Sequence, residues 1–162
     1  MLELHSKLPN QGVTIFSIMS QLAQQLGALN LSQGFPDFAP PQALLESLSH
    51  ATLHGSNQYA PGDGLASLRQ QVAELFLSRD HIQLDPITEI SITPGATIGI
   101  FSTIQALVNA GDEVIVFDPS YDSYAPSIEL VGAKAVRIAL QQPDFSVPWQ
   151  QVKDAINTKT RM

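Results

Sequence analysis

Apolar residues recur at helical spacing in the first part of the chain. Between Gly12 and Gly27, Ile15, Phe16, Met19, Leu22, Ala23 and Leu26 fall on one stripe, with serines and glutamines elsewhere, which predicts a first helix. Asn30 to Phe38, NLSQGFPDF, reads as a short extended piece broken by Gly34 and Pro36. Pro40 and Pro41 suit the first turn of a second helix carrying Leu44, Leu45, Leu48 and Ala51, which Gly55 ends. After the turn-rich SNQYAPGDG, Leu65, Leu68, Val72, Leu75 and Phe76 predict a third helix to about Ser78.

From Glu89 the pattern changes. EISIT predicts a short strand, Pro94 and Gly95 a turn, and Ile100, Phe101, Ile104, Leu107 and Val108 a helix ending near Gly111. EVIVFD, Glu113 to Asp118, has the continuous apolar run of a strand buried on both faces. A helix from Tyr121 to Leu130, a strand near Ala133 to Leu140 and a helix from Trp149 to Ile156 follow, and Thr158 to Met162 leads toward another strand. Alternation of this kind builds an α/β fold, a mainly parallel sheet with helices on its faces. Stopping at that point, the sheet is expected to be incomplete, with an apolar edge open to association.

At 162 residues, with 44% apolar and 14% charged residues, the chain is expected to hold one globular unit with a real core. A net charge of -7 argues against a nucleic-acid partner, which needs a basic surface to displace counterions. There are no cysteines, so thiolate catalysis, disulfides and cysteine-based zinc sites are excluded. The opening MLELHSKLPNQG lacks the apolar stretch of a signal peptide, and no run is long enough to span a bilayer; a cytoplasmic location without membrane contact is the expectation.

Candidate chemistry concentrates where predicted strands end. In open α/β sheets ligands sit at the carboxyl ends of strands, where a helix N-terminus offers unpaired amides to an anion. Gly95, Ala96 and Thr97 occupy such a place: Gly95 permits a tight turn, Ala96 keeps the surface small, and Thr97 offers a hydroxyl and serves as a helix cap. The same residues also fit an ordinary capped turn. Asp118 to Tyr124, DPSYDSY, leaves the next strand on the same edge, where Tyr121 can stack on a flat ligand or, with Tyr124, simply pack against a helix. Tyr59, in a loop rich in glycine and proline, could reach a phosphate. His50 and His54 lie one helical turn apart, but a third ligand is missing nearby, so no metal site is expected.

Taken in order, SKLPNQGVTIFSIMSQLA from Ser6, NLSQGFPDF from Asn30, NQYAPGDGLASLR from Asn57, ITPGAT from Ile92 and GDEVIVFDPSYDSYAP from Gly111 cover nearly the whole chain. The chain resembles the N-terminal part of fold type I, pyridoxal-phosphate-dependent aminotransferases of class I and II, in the branch of methionine and kynurenine aminotransferase-like enzymes. The resemblance implies the first part of the large domain of a three-layer αβα transferase: residues 1–38 as N-terminal arm and first helix, and residues 39–162 as the start of the cofactor-binding domain, stopping before the Schiff-base lysine. It implies that Gly95, Ala96 and Thr97 hold the phosphate of pyridoxal 5'-phosphate, that Tyr121 stacks on its ring, and that Tyr59 reaches the phosphate bound by the neighbouring subunit of a homodimer. The Gly34 amide would lie near the substrate carboxylate, and Ile15 and Phe16 would help to close the amino acid pocket.

The implied reaction is transamination between an amino acid, methionine or aromatic, and a 2-oxo acid. Such chemistry needs a lysine to move the substrate proton, an acidic partner for the pyridine nitrogen and an arginine for the substrate carboxylate. Lys7, Lys134, Lys153 and Lys159 stand outside the serine-containing motif that surrounds that lysine in the family, so no catalytic residue is nominated, and the isolated chain is expected to be inactive and to bind the cofactor weakly or not at all. Alternative readings are a non-catalytic truncated remnant, a dimerisation partner of a full-length aminotransferase, and a phosphate-ligand binder without catalysis. Ile98 and Gly99 depart from the acidic or amide residue and alanine usual after the family's phosphate turn.

Overall fold

The computed structural model describes residues 5–9, 11–34, 36–55 and 57–162. The first four residues of the expected arm, and Asn10 and Phe35 of the motifs quoted above, lie outside the described residues. The chain forms two compact units, one of Phe16–Thr93 and one that joins the residues up to Ile15 with Pro94–Met162.

In the Phe16–Thr93 unit the predicted helices form. The first, α1, runs Ile15–Leu26. It closes on Gly27, at φ 60°, whose N–H donates to the Gln24 carbonyl while Ala28 N–H donates to that of Ala23, the paired closure that a left-handed glycine allows. The helix α2, Gln42–Leu53, starts just after Pro41, whose carbonyl accepts from Leu44 N–H at 2.9 Å, so the prolines precede the first turn instead of occupying it. Despite their apolar spacing, neither α1 nor α2 buries a residue among those described.

The third helix, α3, spans Ala66–Asp80 and buries Arg69 and Ala73. Leu65, Leu68 and Leu75, whose spacing predicted this helix, are exposed. The described residues between Asn30 and Phe38 form no strand; Asn30 Oδ1 accepts from the Ser32 amide at 3.0 Å, which bends the chain there. EISIT also forms no strand. Ile90 is buried, but Glu89 N–H donates to the Asp85 carbonyl and Ile92 N–H to the Asp63 carbonyl, each at 3.0 Å, so these backbone bonds go to turns and build no ladder.

In the other unit, α4 (Ala96–Leu107), β1 (Glu113–Asp118), α5 (Tyr124–Leu130), β2 (Lys134–Ala139) and α6 (Trp149–Ala155) follow in the predicted order. The two strands pair in parallel, Glu113 opposite Lys134 through Asp118 opposite Ala139. Val114 and Val116 of β1 are buried, whereas Ile115 and Phe117 are partly exposed, so the strand is sealed on one face and not on both. Those valines, with Ile104, Val108, Ile128 and Ala133, make the core where α4 and α5 cover the sheet.

The segment after α6 begins a third strand on the other edge of β1. Glu113 N–H donates to the Lys159 carbonyl, Arg161 N–H to that of Glu113, and Ile115 N–H to that of Met162, each at 2.8 Å. These bonds and the parallel bridge of Glu113 with Thr160 are what the sequence 158–162 predicted.

Candidate functional site

The turn before α4 is set by its backbone. Gly95 stands at φ 86°, ψ 161° as the residue that caps the helix, with no side-chain bond to the helix amides. A Cβ there would meet nothing within 4 Å, so glycine is required by conformation and not by space. The first helical bond is Gly99 N–H to the Gly95 carbonyl, 3.3 Å. The amides of Ala96, Thr97 and Ile98 therefore precede the helical ladder, where an outside acceptor can take them. Thr97 is a first-turn residue, not the cap that the sequence suggested, because Gly95 takes the capping position; its hydroxyl stands at the exposed start of the helix. No acidic residue lies in this first turn to offset the positive end of the helix dipole.

At the carboxyl end of β1, the chain turns through Pro119 and Ser120, and α5 begins at Tyr124, later than the Tyr121 expected from the sequence. Tyr121 is left in the preceding turn, its carbonyl accepting from Tyr124 N–H at 3.3 Å. The two rings lie 6.0 Å apart between centroids and are tilted by 56°. They divide the two roles considered for them: Tyr124 is partly buried and packs on the core, while the Tyr121 side is 53% exposed.

Ala96, Thr97, Ile100, Tyr121 and Tyr124 line one open cleft of about 430 Å³. The structure thus brings together three predicted residues, Ala96, Thr97 and Tyr121, from two different strand-to-helix turns. The lining residues carry no carboxylate or ammonium group, so the cleft offers amides, hydroxyls, an aromatic ring and apolar surface. None of the four lysines lines it. Lys134 instead lies at the opposite end of β1, paired with Glu113 at 3.2 Å.

Gly34 and Tyr59 belong to the Phe16–Thr93 unit, both exposed, with Tyr59 fully so. Sequence reasoning missed Asp63 and Arg69 in that unit, an ion pair at 2.7 Å whose arginine is buried. The available signal was the arginine closing NQYAPGDGLASLR at the start of a helix that was read from its apolar positions alone. His50 and His54 stack at 4.1 Å with His54 Nδ1 bonded to the His50 carbonyl, and no group of metal-binding side chains occurs among the described residues. Among those residues, too, no helix is long and apolar enough to cross a membrane.

Comparison with known proteins decides the family. The model of aminotransferase class I and II matches residues 27–162. The chain belongs to this family. It is 50% identical over 157 residues to the methionine aminotransferase of Escherichia coli, covering 97% of this chain and 41% of that protein. A solved structure of an E. coli protein with methionine aminotransferase function superimposes with a TM-score of 0.93 at 49% identity, over 99% of this chain and 42% of the other. The N-succinyldiaminopimelate aminotransferase structure from Mycobacterium tuberculosis gives a TM-score of 0.90 at 37% identity, over 98% and 42%. Human kynurenine–oxoglutarate transaminase 3 is 37% identical over 153 residues, 88% of this chain and 34% of that protein. The chain thus spans about two-fifths of the length of its relatives and forms part of an α/β domain of a pyridoxal-phosphate-dependent family.

Proposed function

We propose that the complete protein carries out pyridoxal-phosphate-dependent transamination between an amino acid, methionine or aromatic, and a 2-oxo acid. The observation that carries this reading is the meeting of Ala96, Thr97 and Tyr121 around one cleft in a chain of this family. The residues present fit a flat, phosphorylated ring. Amides ahead of the α4 ladder and the Thr97 hydroxyl suit the phosphate, the half-exposed Tyr121 ring suits the face of the heterocycle, and no carboxylate lines the cleft to repel the dianion.

When bound, pyridoxal phosphate supplies an electron-withdrawing ring that stabilises negative charge at the substrate Cα. This chain's part is to bind and orient: Gly95 shapes the turn, Ala96 and Thr97 hold the phosphate, and Tyr121 fixes the plane of the ring. We assign Gly34 to the substrate carboxylate, Tyr59 to the phosphate held by the neighbouring subunit of a homodimer, and Ile15 and Phe16 to closure of the amino acid pocket. Proton movement at the substrate Cα falls to none of Lys7, Lys134, Lys153 or Lys159, since none lines the cleft.

The test is a donor assay on the complete protein, with methionine and with aromatic amino acids against a common 2-oxo acid. Formation of the corresponding new 2-oxo acid, dependent on added pyridoxal phosphate, is expected; no turnover of either donor class overturns the reading. The 162-residue chain alone is expected to give none.

A further inference from the structure

Arg69 is the one charged side chain that α3 buries, 8% exposed, and its surroundings explain its place. Its Nη1 meets the Asp63 carboxylate at 2.7 Å and donates to the Ile87 carbonyl at 3.3 Å. The buried Nε has no hydrogen-bond partner among the described residues. Desolvation of the guanidinium is therefore offset through Nη1, and those two contacts matter more than they would on an open surface.

The contacts cross-link two separate turns. Asp63 lies in the Pro61–Gly64 turn, closed by Gly64 N–H to the Pro61 carbonyl at 2.9 Å, four residues after Tyr59. Ile87 lies in the turn at Asp85 to Glu89, whose Asp85 carboxylate accepts from Ile87 N–H at 2.8 Å and from Thr88 Oγ1 at 2.8 Å. The Asp63 carbonyl then takes the amide of Ile92, four residues before Ala96. Gly64 also seats directly against the Ile92 side chain, with its own φ at 96°.

We propose that Arg69 is a positioning residue: through Asp63 it sets both the loop that presents Tyr59 and the segment that leads into the phosphate turn, and so governs the grip on the cofactor without touching it. The proposal rests on the assignment of Tyr59 and the turn to the cofactor. It adds to that assignment a physical link between a loop serving one subunit's phosphate and the segment entering the other's.

The test compares the complete protein with its Arg69→Ala, Arg69→Lys and Asp63→Asn variants. Amide hydrogen exchange is read at Gly64 and Ile92, with Ile104 and Val116 in the other unit as controls, and pyridoxal phosphate affinity is measured by titration. Arg69→Ala and Asp63→Asn are expected to speed exchange at Gly64 and Ile92 by about tenfold and to weaken the affinity several-fold, with the controls unchanged. Arg69→Lys, which restores a cation opposite Asp63, is expected to recover part of both effects.

Unchanged exchange at Gly64 and Ile92 overturns the link. Faster exchange with unchanged affinity overturns the positioning role and leaves a purely structural ion pair. If the complete parent protein binds no pyridoxal phosphate, the cofactor assignment fails, and with it this role, whatever the exchange data show. Should Arg69→Ala fail to fold, the isosteric Asp63→Asn decides alone.

Discussion

Gly64 and Gly95 share a left-handed φ but meet different surroundings. A Cβ on Gly95 finds open space, whereas one on Gly64 would lie 2.5 Å from Ile92 Cγ1 and 2.6 Å from its Cβ. Backbone strain and steric overlap therefore add at Gly64, and Gly64→Ala is expected to cost about 1–3 kcal/mol, read as a fall in the urea midpoint. Gly95→Ala carries the backbone part only and is expected to destabilise less; equal losses would contradict this difference. The contrast also marks what was legible in single residues. Gly95, Ala96, Thr97 and Tyr121 could be singled out because each follows a strong apolar run. Gly64 could not, since the partner that gives it meaning, Ile92, is distant in sequence, and the place of Arg69 in its motif did not tell that the Ile87 carbonyl would accept from it.

Among elements, the helices and the Glu113–Asp118 strand were readable because their periodicity is local. The run EISIT was not, because a strand is defined by its partner, and the backbone bond of Ile92 goes to a turn residue. The start of the third strand shows how such pairing is fastened. Asn157 Nδ2 donates to Glu113 Oε2 at 2.8 Å, and Lys134 Nζ lies 3.2 Å from Oε1. Asn157 first, and Lys134 second, hold the Glu113 carboxyl below the usual carboxylate range.

A carboxyl whose folded pKa is depressed contributes stability that is present above its unfolded pKa and lost as pH falls through the folded value. Glu113→Gln is therefore expected to lower the urea midpoint at neutral pH and to converge with the parent in acid. Asp85, held low chiefly by the Ile87 amide and then the Thr88 hydroxyl, keeps some acid dependence in both proteins. A midpoint difference that stays constant from neutral to acidic pH would contradict the role of Glu113.

For the whole molecule, periodicity told which faces are apolar but not what covers them. The stripes of α1 and α2 were legible, yet Leu26, Leu48 and Leu53 are exposed, while the real core is built from α4, α5 and β1. Family membership was legible because five motifs keep their order. The meeting of the start of α4 with the turn after β1 was legible because both follow predicted strands on one edge, whereas the contribution of Ile100 and Tyr124 to the cleft was not. The central claim is that these two turns hold the phosphate and ring of pyridoxal phosphate. It is tested most directly by titrating the ¹⁵N-labelled chain with pyridoxine 5'-phosphate, which keeps ring and phosphate but has no aldehyde to react with surface lysines. Weak shifts centred on the amides of Ala96, Thr97, Ile98 and Tyr121 are expected; shifts centred elsewhere, with those amides unmoved, would contradict the account.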